Sequence, residues 1–327
     1  MSVIDNNSSS RSSMPAAELI INNPGVLALI QDAGRFGQHR IGLTVGGPLD
    51  PFAFRWANRL CHNPDNSSAI EITVGGFSAT VTNATQIAIT GATVDVSVNG
   101  HAMPMWQTLS LQAGDNLKIG FASLGCRIYL ALQGGLQVAP QFGSTATVVR
   151  EAIGGVNGGA LAKGERLGLS PQVAQPRLMM PTQWQPNYAE DTPLHVVLGY
   201  QEASFSASSK AHFFSSDYTV SERTDRMGYR LTGPECHSSV SNMLSEGICH
   251  GAIQVPPDGQ PIVLLNDRQT IGGYPKLGSV MARDTARLAQ MTQGKSVCFS
   301  PVTIEQAHAI NIVDKHKQSA IVLAQID

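Results

Sequence analysis

Short apolar runs, separated by glycine, proline and asparagine, set the rhythm of this chain. Leu19-Ile20-Ile21 and Val26–Ile30 flank the turn Asn22-Asn23-Pro24-Gly25. Each run is long enough for a strand and too short for a helix. Ala69–Thr73, Phe77–Val81, Gln86–Thr90 and Val94–Val98 continue the series. In the last of these, Asp95 and Ser97 alternate with valines, as in a half-buried strand. Asn99-Gly100 reads as a type I′ hairpin turn, because both residues tolerate positive φ. Leu117–Ile119, Arg127–Leu132 and a glycine-linked pair within 161–169 follow. One helical period interrupts this half. Asp50 before Pro51 reads as an N-cap with proline at the first helical position. Phe52, Trp56 and Leu60 then recur at spacings of four, which predicts a buried stripe on a helix ending before Pro64.

The periodicity lapses between Ser170 and Asp191, where Pro171, Pro176, Pro181 and Pro186 favour an extended strap. Leu194–Leu198, Asp217–Val220, Ile253–Val255, Ile262–Leu265, Leu277–Met281 and Ser296–Phe299 then read as strands. Ala203–Phe214, Asp284–Met291 and Thr303–Lys317 read as helices. The pattern predicts a mainly β chain with a few short helices, in barrels or sandwiches. With 327 residues, two cores are expected. The division read from the pattern is a polar leader over 1–17, a β domain over 18–170, the strap over 171–191, a second β domain over 192–318, and a tail over 319–327 with no clear anchor.

Composition narrows the function classes. Charged residues make up only 14% and the net charge is −2, with no basic stripe, so a nucleic-acid partner has little support. The restrained charge suits either a surface partly covered by another subunit or a poorly charged monomer. No apolar run reaches the length of a membrane span, and the leader lacks the apolar core of a secretory signal, so the cytoplasm is the expected compartment. The five cysteines are scattered without a CxxC pair and read as reduced thiols. The nine histidines form no HExxH or HxH, so no protein-bound metal is expected.

Chemistry concentrates between Gln254 and Lys276. The apolar run Ile262–Leu265 empties into Asn266, Asp267, Arg268, Gln269 and Thr270, and Gly272-Gly273-Tyr274-Pro275 closes the stretch. A strand that delivers polar side chains beside permissive glycines is one way a scaffold builds a site; an ordinary polar loop is the equal alternative. Glu71, between Ile70 and Ile72, reads either as solvent-facing or as a cleft residue. Arg223, Arg226 and Arg230 form an anion site if they converge, or a salt-bridged surface with Glu222 and Asp225. Gly46-Gly47-Pro48 lacks the GKS/T of a phosphate loop, so no ATP site follows from it. Ser245, His237 and His250 lie close in sequence but outside any nucleophile elbow, and read as structural.

The segments GLTVGGPLDPFAFRWANRL, AIEITVGG, SERTDRMGYRLTG and SEGICHGAIQVPPDGQPIVLLNDRQTIGGYPKLGSV resemble the 5-oxoprolinase C-subunit family, formerly grouped as allophanate hydrolase subunit 2. The resemblance spans roughly residues 18–309 and extends to the carboxyltransferase region of biotin-dependent urea carboxylases. It implies two cyclophilin-like β-barrel domains and ATP-dependent opening of 5-oxo-L-proline to L-glutamate in an assembly with 5-oxoprolinase subunits A and B. It implies further that ATP serves the assembly and is not bound by this chain alone. No biotin-attachment sequence is present. The residues in the matching segments that suit this chemistry are Asp267, Gln269, Glu71 and Glu246 as catalytic groups. Asp50, Arg226, Gln254, Thr270, Gly272, Gly273 and Tyr274 are the expected substrate contacts. Two other readings stay open: a biotin-dependent urea or amide carboxyltransferase subunit, and a non-enzymatic partner that regulates a kinase.

Overall fold

Alternation of buried and exposed positions builds the first half of the chain into two packed sheets. A computed structural model describes residues 17–170, 173, 175–240 and 243–327. The expected leader over 1–17 therefore lies almost wholly outside the described residues, as do Pro171, Gln172 and Ala174 of the strap. In one antiparallel sheet, Glu18–Pro24 lies between Arg166–Gly168 and Gly75–Val81, and Asn116–Phe121, Val96–Val98 and His101–Met103 extend the row. The second sheet orders Leu27–Gln31, Ala69–Thr73, Leu124–Leu132, Thr85–Thr93 and Thr108–Leu111. Leu19, Ile21, Phe77 and Leu117 from the first meet Ile30, Ile72, Ile89 and Ile128 from the second in one buried cluster. Gly25 makes the crossing between sheets possible. It holds φ +71°, and a Cβ there would fall 2.3 Å from the Gly75 carbonyl oxygen. Asn99 and Gly100 take φ of 52° and 86° and join Val98 to His101 in the expected hairpin.

Among the described residues, four α-helices decorate the sheets: α1 (Pro51–Leu60), α2 (Ala207–Ser215), α3 (Ala282–Gln290) and α4 (Ile304–Ser319). The first is the helix the sequence predicts. Asp50 caps it by accepting from Ala53 N at 3.0 Å. Phe54, Trp56 and Leu60 are buried with Trp106, Tyr129 and Met180, and half-buried Phe52 packs alongside. Truncating Trp56 to alanine is expected to cost about 3–5 kcal/mol, read from chemical denaturation. A loss well below that range would mean the indole is not a core element.

The second half closes on itself. Its eight-stranded sheet runs Ser296–Val297, Tyr218–Thr224, Gly228–Thr232, Ile262–Leu264, Ala252–Gln254, Lys276–Val280, Leu194–Leu198, Phe299–Val302. The first and last strands are separated only by Cys298, so one chain segment supplies both edges and the sheet forms a nearly closed barrel. Phe213 of α2 stacks on Phe299 at 4.7 Å between ring centres and seals one end of its core.

The architecture is thus mainly β, with one nearly closed barrel and a few short helices. The expected pair of cyclophilin-like barrels is not plainly visible. Among the described residues, both sheets of the first half keep separate edge strands, whereas the second half uses a single segment to close its ring. The tail also departs from expectation. Ala324–Ile326 pairs with Arg177–Met179 of the strap, and Ile321 and Leu323 pack with Leu178 and Trp184 against the α1 cluster. The apolar residues that anchor both segments were too few to show a period. Likewise α2 begins at Ala207 and not at Ala203, because the Ser206 side chain caps Ser209 N at 3.1 Å. Among the described residues, no helix is long and apolar enough to cross a membrane.

Candidate functional site

Strand ends and loops from both halves bring the expected site residues together in two separate groups. The first is a sealed polar network. Arg226 leaves the strand Tyr218–Thr224 and turns inward, where it is 6% exposed. Its Nε and Nη2 donate to the two oxygens of Asp267, each at 2.9 Å, and Nη2 also donates to Gly47 O at 2.7 Å. Its Nη1 donates to Glu71. The other Glu71 oxygen accepts from Leu49 N at 2.9 Å and from Tyr129 OH at 2.7 Å. Tyr129 OH accepts from Asp50 N at 2.7 Å. Asp50 in turn accepts from Tyr188 OH at 2.7 Å and Gln290 Nε2 at 2.9 Å. Strap, α1, α3 and both sheet systems thus meet on one chain of hydrogen bonds.

Electrostatics favours the charged forms of Arg226 and Glu71, whereas burial raises the Asp267 and Asp50 carboxyls above their ordinary range. Burial works against the charge of Arg226, but Asp267 and Glu71 outweigh it and hold its pKa up. Burial likewise pushes the Glu71 carboxyl upward, yet Arg226, Arg127 and the hydrogen bonds from Leu49 and Tyr129 bring it below the ordinary range. Every one of these groups is satisfied inside the protein, so the geometry is that of a clamp between the halves.

The second group runs from the barrel interior to its surface. Glu246-Gly247 pairs with Ile271-Gly272 in a two-stranded ribbon beside the barrel. The Lys276 ammonium contacts Glu246 and, as the leading cause, holds that carboxyl below its usual range. Gln201 Nε2 also donates to Glu246, while Gln201 Oε1 accepts from Lys276 N at 2.7 Å. Gln254 is buried, and its Nε2 has no hydrogen-bond partner among the described residues. A Cβ added at Gly272 would sit 2.9 Å from Gln254 Nε2 and 3.0 Å from Gln269 Nε2. Two carboxamide nitrogens therefore crowd the Gly272 backbone, and no side chain fits between them. Gly273 is half-buried beside Met243 O, Thr270 is half-buried, and Tyr274 is exposed.

Of two cavities that share residues, the second opens beside this ribbon. The first, of about 600 Å³, lies between the loop 33–51 and the residues His250, Asn266 and Arg268. The second, of about 640 Å³, opens over Gly247–His250, Thr270 and Ile271; His39, His250 and Arg268 line both. Asn266 ties the walls by donating to Gly46 O at 3.1 Å and Pro48 O at 2.9 Å. His250 lies 3.0 Å from Asn266 Oδ1, and burial followed by the Arg268 charge pushes its pKa down to about 4. The unfolded chain therefore binds an extra proton between about pH 6.5 and 4, so stability is fully present above pH 6.5 and is lost as the pH falls. The loss is expected to be on the order of 3 kcal/mol across that window. In His250→Gln, stability curves measured from pH 4 to 7 should lose this component of their slope; an unchanged slope would mean the imidazole is not held neutral.

Arg223 is exposed and Arg230 pairs with Asp258, so the three arginines do not converge. Arg226 takes its carboxylates from Glu71 and Asp267 and not from neighbouring Glu222 or Asp225. His237 is exposed and pairs with Glu235, far from a triad geometry with His250. Sequence reasoning missed Tyr129, Tyr188, Gln290, Gln201 and Lys276. Lys276 follows directly on the Gly-Gly-Tyr-Pro turn and was legible as its continuation, whereas Gln201 and Tyr188 reach their partners only through the fold.

Residues 41–301 match the family described as carboxyltransferase domain, subdomain A and B. The chain is 34% identical over 290 residues to the 5-oxoprolinase C-subunit of Escherichia coli, covering 88% of this chain and 93% of that one. It is 30% identical over 319 residues to urea amidolyase of Saccharomyces cerevisiae, covering 89% of this chain and 17% of that protein. The crystal structure of the K. lactis urea amidolyase superposes with a TM-score of 0.85 at 27% identity, over 94% of this chain and 20% of the other. The chain thus spans nearly the whole of the first relative and about a fifth of the urea amidolyases.

Proposed function

Because the chain belongs to the carboxyltransferase domain family, subdomains A and B, we propose that it is the carboxyltransferase-type subunit of a larger assembly acting on a small amide or urea group. The observation that carries this reading is the pair of carboxamides, Gln254 and Gln269, converging beside the bare backbone of Gly272. Gln254 Nε2, buried without an acceptor among the described residues, and the neighbouring Gln269 amide suit a carbonyl oxygen that gains negative charge during reaction. Glu246, held ionised by Lys276, is placed to take a proton from the attacking nitrogen or water. Thr270, Gly273 and Tyr274 form the rim. Asp50, Glu71, Arg226 and Asp267 position these elements through the clamp and do not touch substrate. The family relationship also supports reading the first half as an open counterpart of the second, cyclophilin-like barrel.

For carboxyl transfer, a biotin on another polypeptide supplies the transferable carboxyl group when bound. The donor pair fits its ureido carbonyl as well as that of urea. Opening of a cyclic amide, 5-oxo-L-proline, is the second reading, favoured by the nearly equal lengths of this chain and the 5-oxoprolinase C-subunit. ATP does not fit the glycine loop here. Gly46 O and Pro48 O accept from Asn266, Gly47 O accepts from Arg226, and Gly47 N donates to Gln31 at 3.0 Å. Nucleotide chemistry in such an assembly falls to companion subunits A and B.

The test is co-purification with candidate companions, followed by two assays. One supplies 5-oxo-L-proline and ATP and reads glutamate; the other supplies urea, bicarbonate, ATP and a biotinylated carrier and reads carboxylated urea. Retained companion binding without either product would favour the regulatory, non-enzymatic role. Within an active assembly, Lys276→Met is expected to raise the Glu246 pKa and move the acid limb of the kcat/KM profile to higher pH. An acid limb that stays in place would remove Glu246 as the titrating base.

A further inference from the structure

Arg268 is 6% exposed, yet no carboxylate lies within ion-pair distance of it among the described residues. Its Nε donates to Ile248 O at 3.1 Å and its Nη1 to Leu265 O at 3.2 Å. Both partners are neutral, and Nη2 has no protein acceptor among the described residues. The contrast with Arg226, which is equally buried but clasped by two acids, is direct. Burial lowers the Arg268 pKa, opposed by the Cys249 thiol but by no carboxylate. A buried cation without a counterion is costly unless something outside the chain completes it.

The side chain sits where the two cavities share a wall. The nearby titratable groups leave its charge uncancelled. His250 is pushed down to about 4 and His39 is also pushed below its ordinary value, each by burial and then by Arg268 itself. Asp65, at the rim of the first cavity, accepts from Nε and Nη2 of Arg59 at 2.7 and 2.8 Å. Glu151, near His39, accepts from Thr44 N and pairs with Arg150. With Arg55 also on the first cavity and Arg40 on the second, the walls around Arg268 are net positive at neutral pH. The rest of the first cavity is largely apolar, with Phe36, Val45, Leu49 and Phe54 on its walls.

We propose that Arg268 anchors a small organic monocarboxylate where the cavities meet, with the apolar body of the ligand lying against Phe36, Leu49 and Phe54. A single guanidinium edge matches one carboxylate. The apolar lining of the first cavity favours an organic carboxylate over inorganic phosphate. The inference rests on charge balance and cavity chemistry, and stands whether or not the reaction assigned above is correct.

Calorimetric titration of the full-length protein with benzoate and its neutral isostere benzamide tests it. Benzoate is expected to bind at least tenfold more tightly than benzamide and to shift the His250 ring resonances, since His250 lines the same cavity. Arg268→Met should abolish the preference, and Arg268→Lys should retain part of it. Equal binding of the two probes, no benzoate binding, inorganic phosphate outcompeting benzoate at equal concentration, or a preference that survives Arg268→Met would each overturn the proposal. Should Arg268→Met fail to fold, the comparison of probes and the His250 shifts in the unaltered protein decide alone. Parallel titrations with 5-oxo-L-proline and 2-pyrrolidone separate this site from the reaction. Benzoate binding without 5-oxo-L-proline binding keeps the carboxylate site and counts against the cyclic-amide reading.

Discussion

Arg226→Met is expected to destabilise the fold by about 3–5 kcal/mol, because it strands two buried carboxylates without a cation. Glu71 is 1% exposed and Asp267 is 5% exposed, so neither reaches water to recover its solvation. The side chain also fastens Gly47 O, which belongs to the loop ahead of α1, to the loop following Ile262–Leu264. Its removal loosens the seam between the halves as well as the charge balance. Urea denaturation of the purified chain measures the loss. The charge-neutral triple variant Glu71→Gln, Arg226→Met, Asp267→Asn is expected to recover part of it, since a buried ionic cluster stabilises little relative to a neutral replacement. A normally stable Arg226→Met whose assembly loses turnover would overturn the clamp and return Arg226 to the substrate. Asp267→Asn alone is expected to fall between these extremes, because the amide keeps one acceptor for the guanidinium.

What the sequence disclosed depended on how local the cause was. The Asp50-Pro51 cap and the Phe52/Trp56/Leu60 spacing placed α1 at its observed bounds, since capping and periodicity act within a few residues. Asn99-Gly100 fixed its hairpin for the same reason. Closure of the second barrel was hidden: Ser296–Phe299 reads as one strand, and only tertiary pairing shows that Cys298 divides it between two edges. The strap and tail were hidden because each contributes three paired residues to the other across the length of the chain. At the site, the stretch Gln254–Lys276 was visible as a polar cluster after a buried strand. The fate of its members was not. Asp267 and Gln269 are two residues apart, yet one is drawn inward by Arg226 while the other turns toward Gly272. That division follows from partners contributed by distant segments, which no local pattern encodes.

Gln254→Leu is the variant that best separates a binding role from a packing role. The Gln254 amide nitrogen is buried and makes no hydrogen bond to the described residues, so the folded protein bears a desolvation cost there. Leucine has similar bulk and no donor. Its introduction is therefore expected to leave stability unchanged or raise it by about 1 kcal/mol. If the amide completes its bonding with a substrate carbonyl, the same change should lower kcat of the active assembly about 10²–10³-fold, the usual cost of removing one donor to a developing oxyanion. Gln269→Ala should reduce kcat in the same direction. Gly272→Ala should act on both carboxamides together, since its methyl group would fall 2.6 Å from Ile248 Cδ1 and about 3 Å from each amide nitrogen. Thermal unfolding and steady-state kinetics on the same preparations measure the two effects. A structural amide predicts the opposite pairing, with stability lost and turnover per folded molecule retained. That result in Gln254→Leu would remove the carboxamide pair from the site and with it the reading that this cleft recognises a carbonyl.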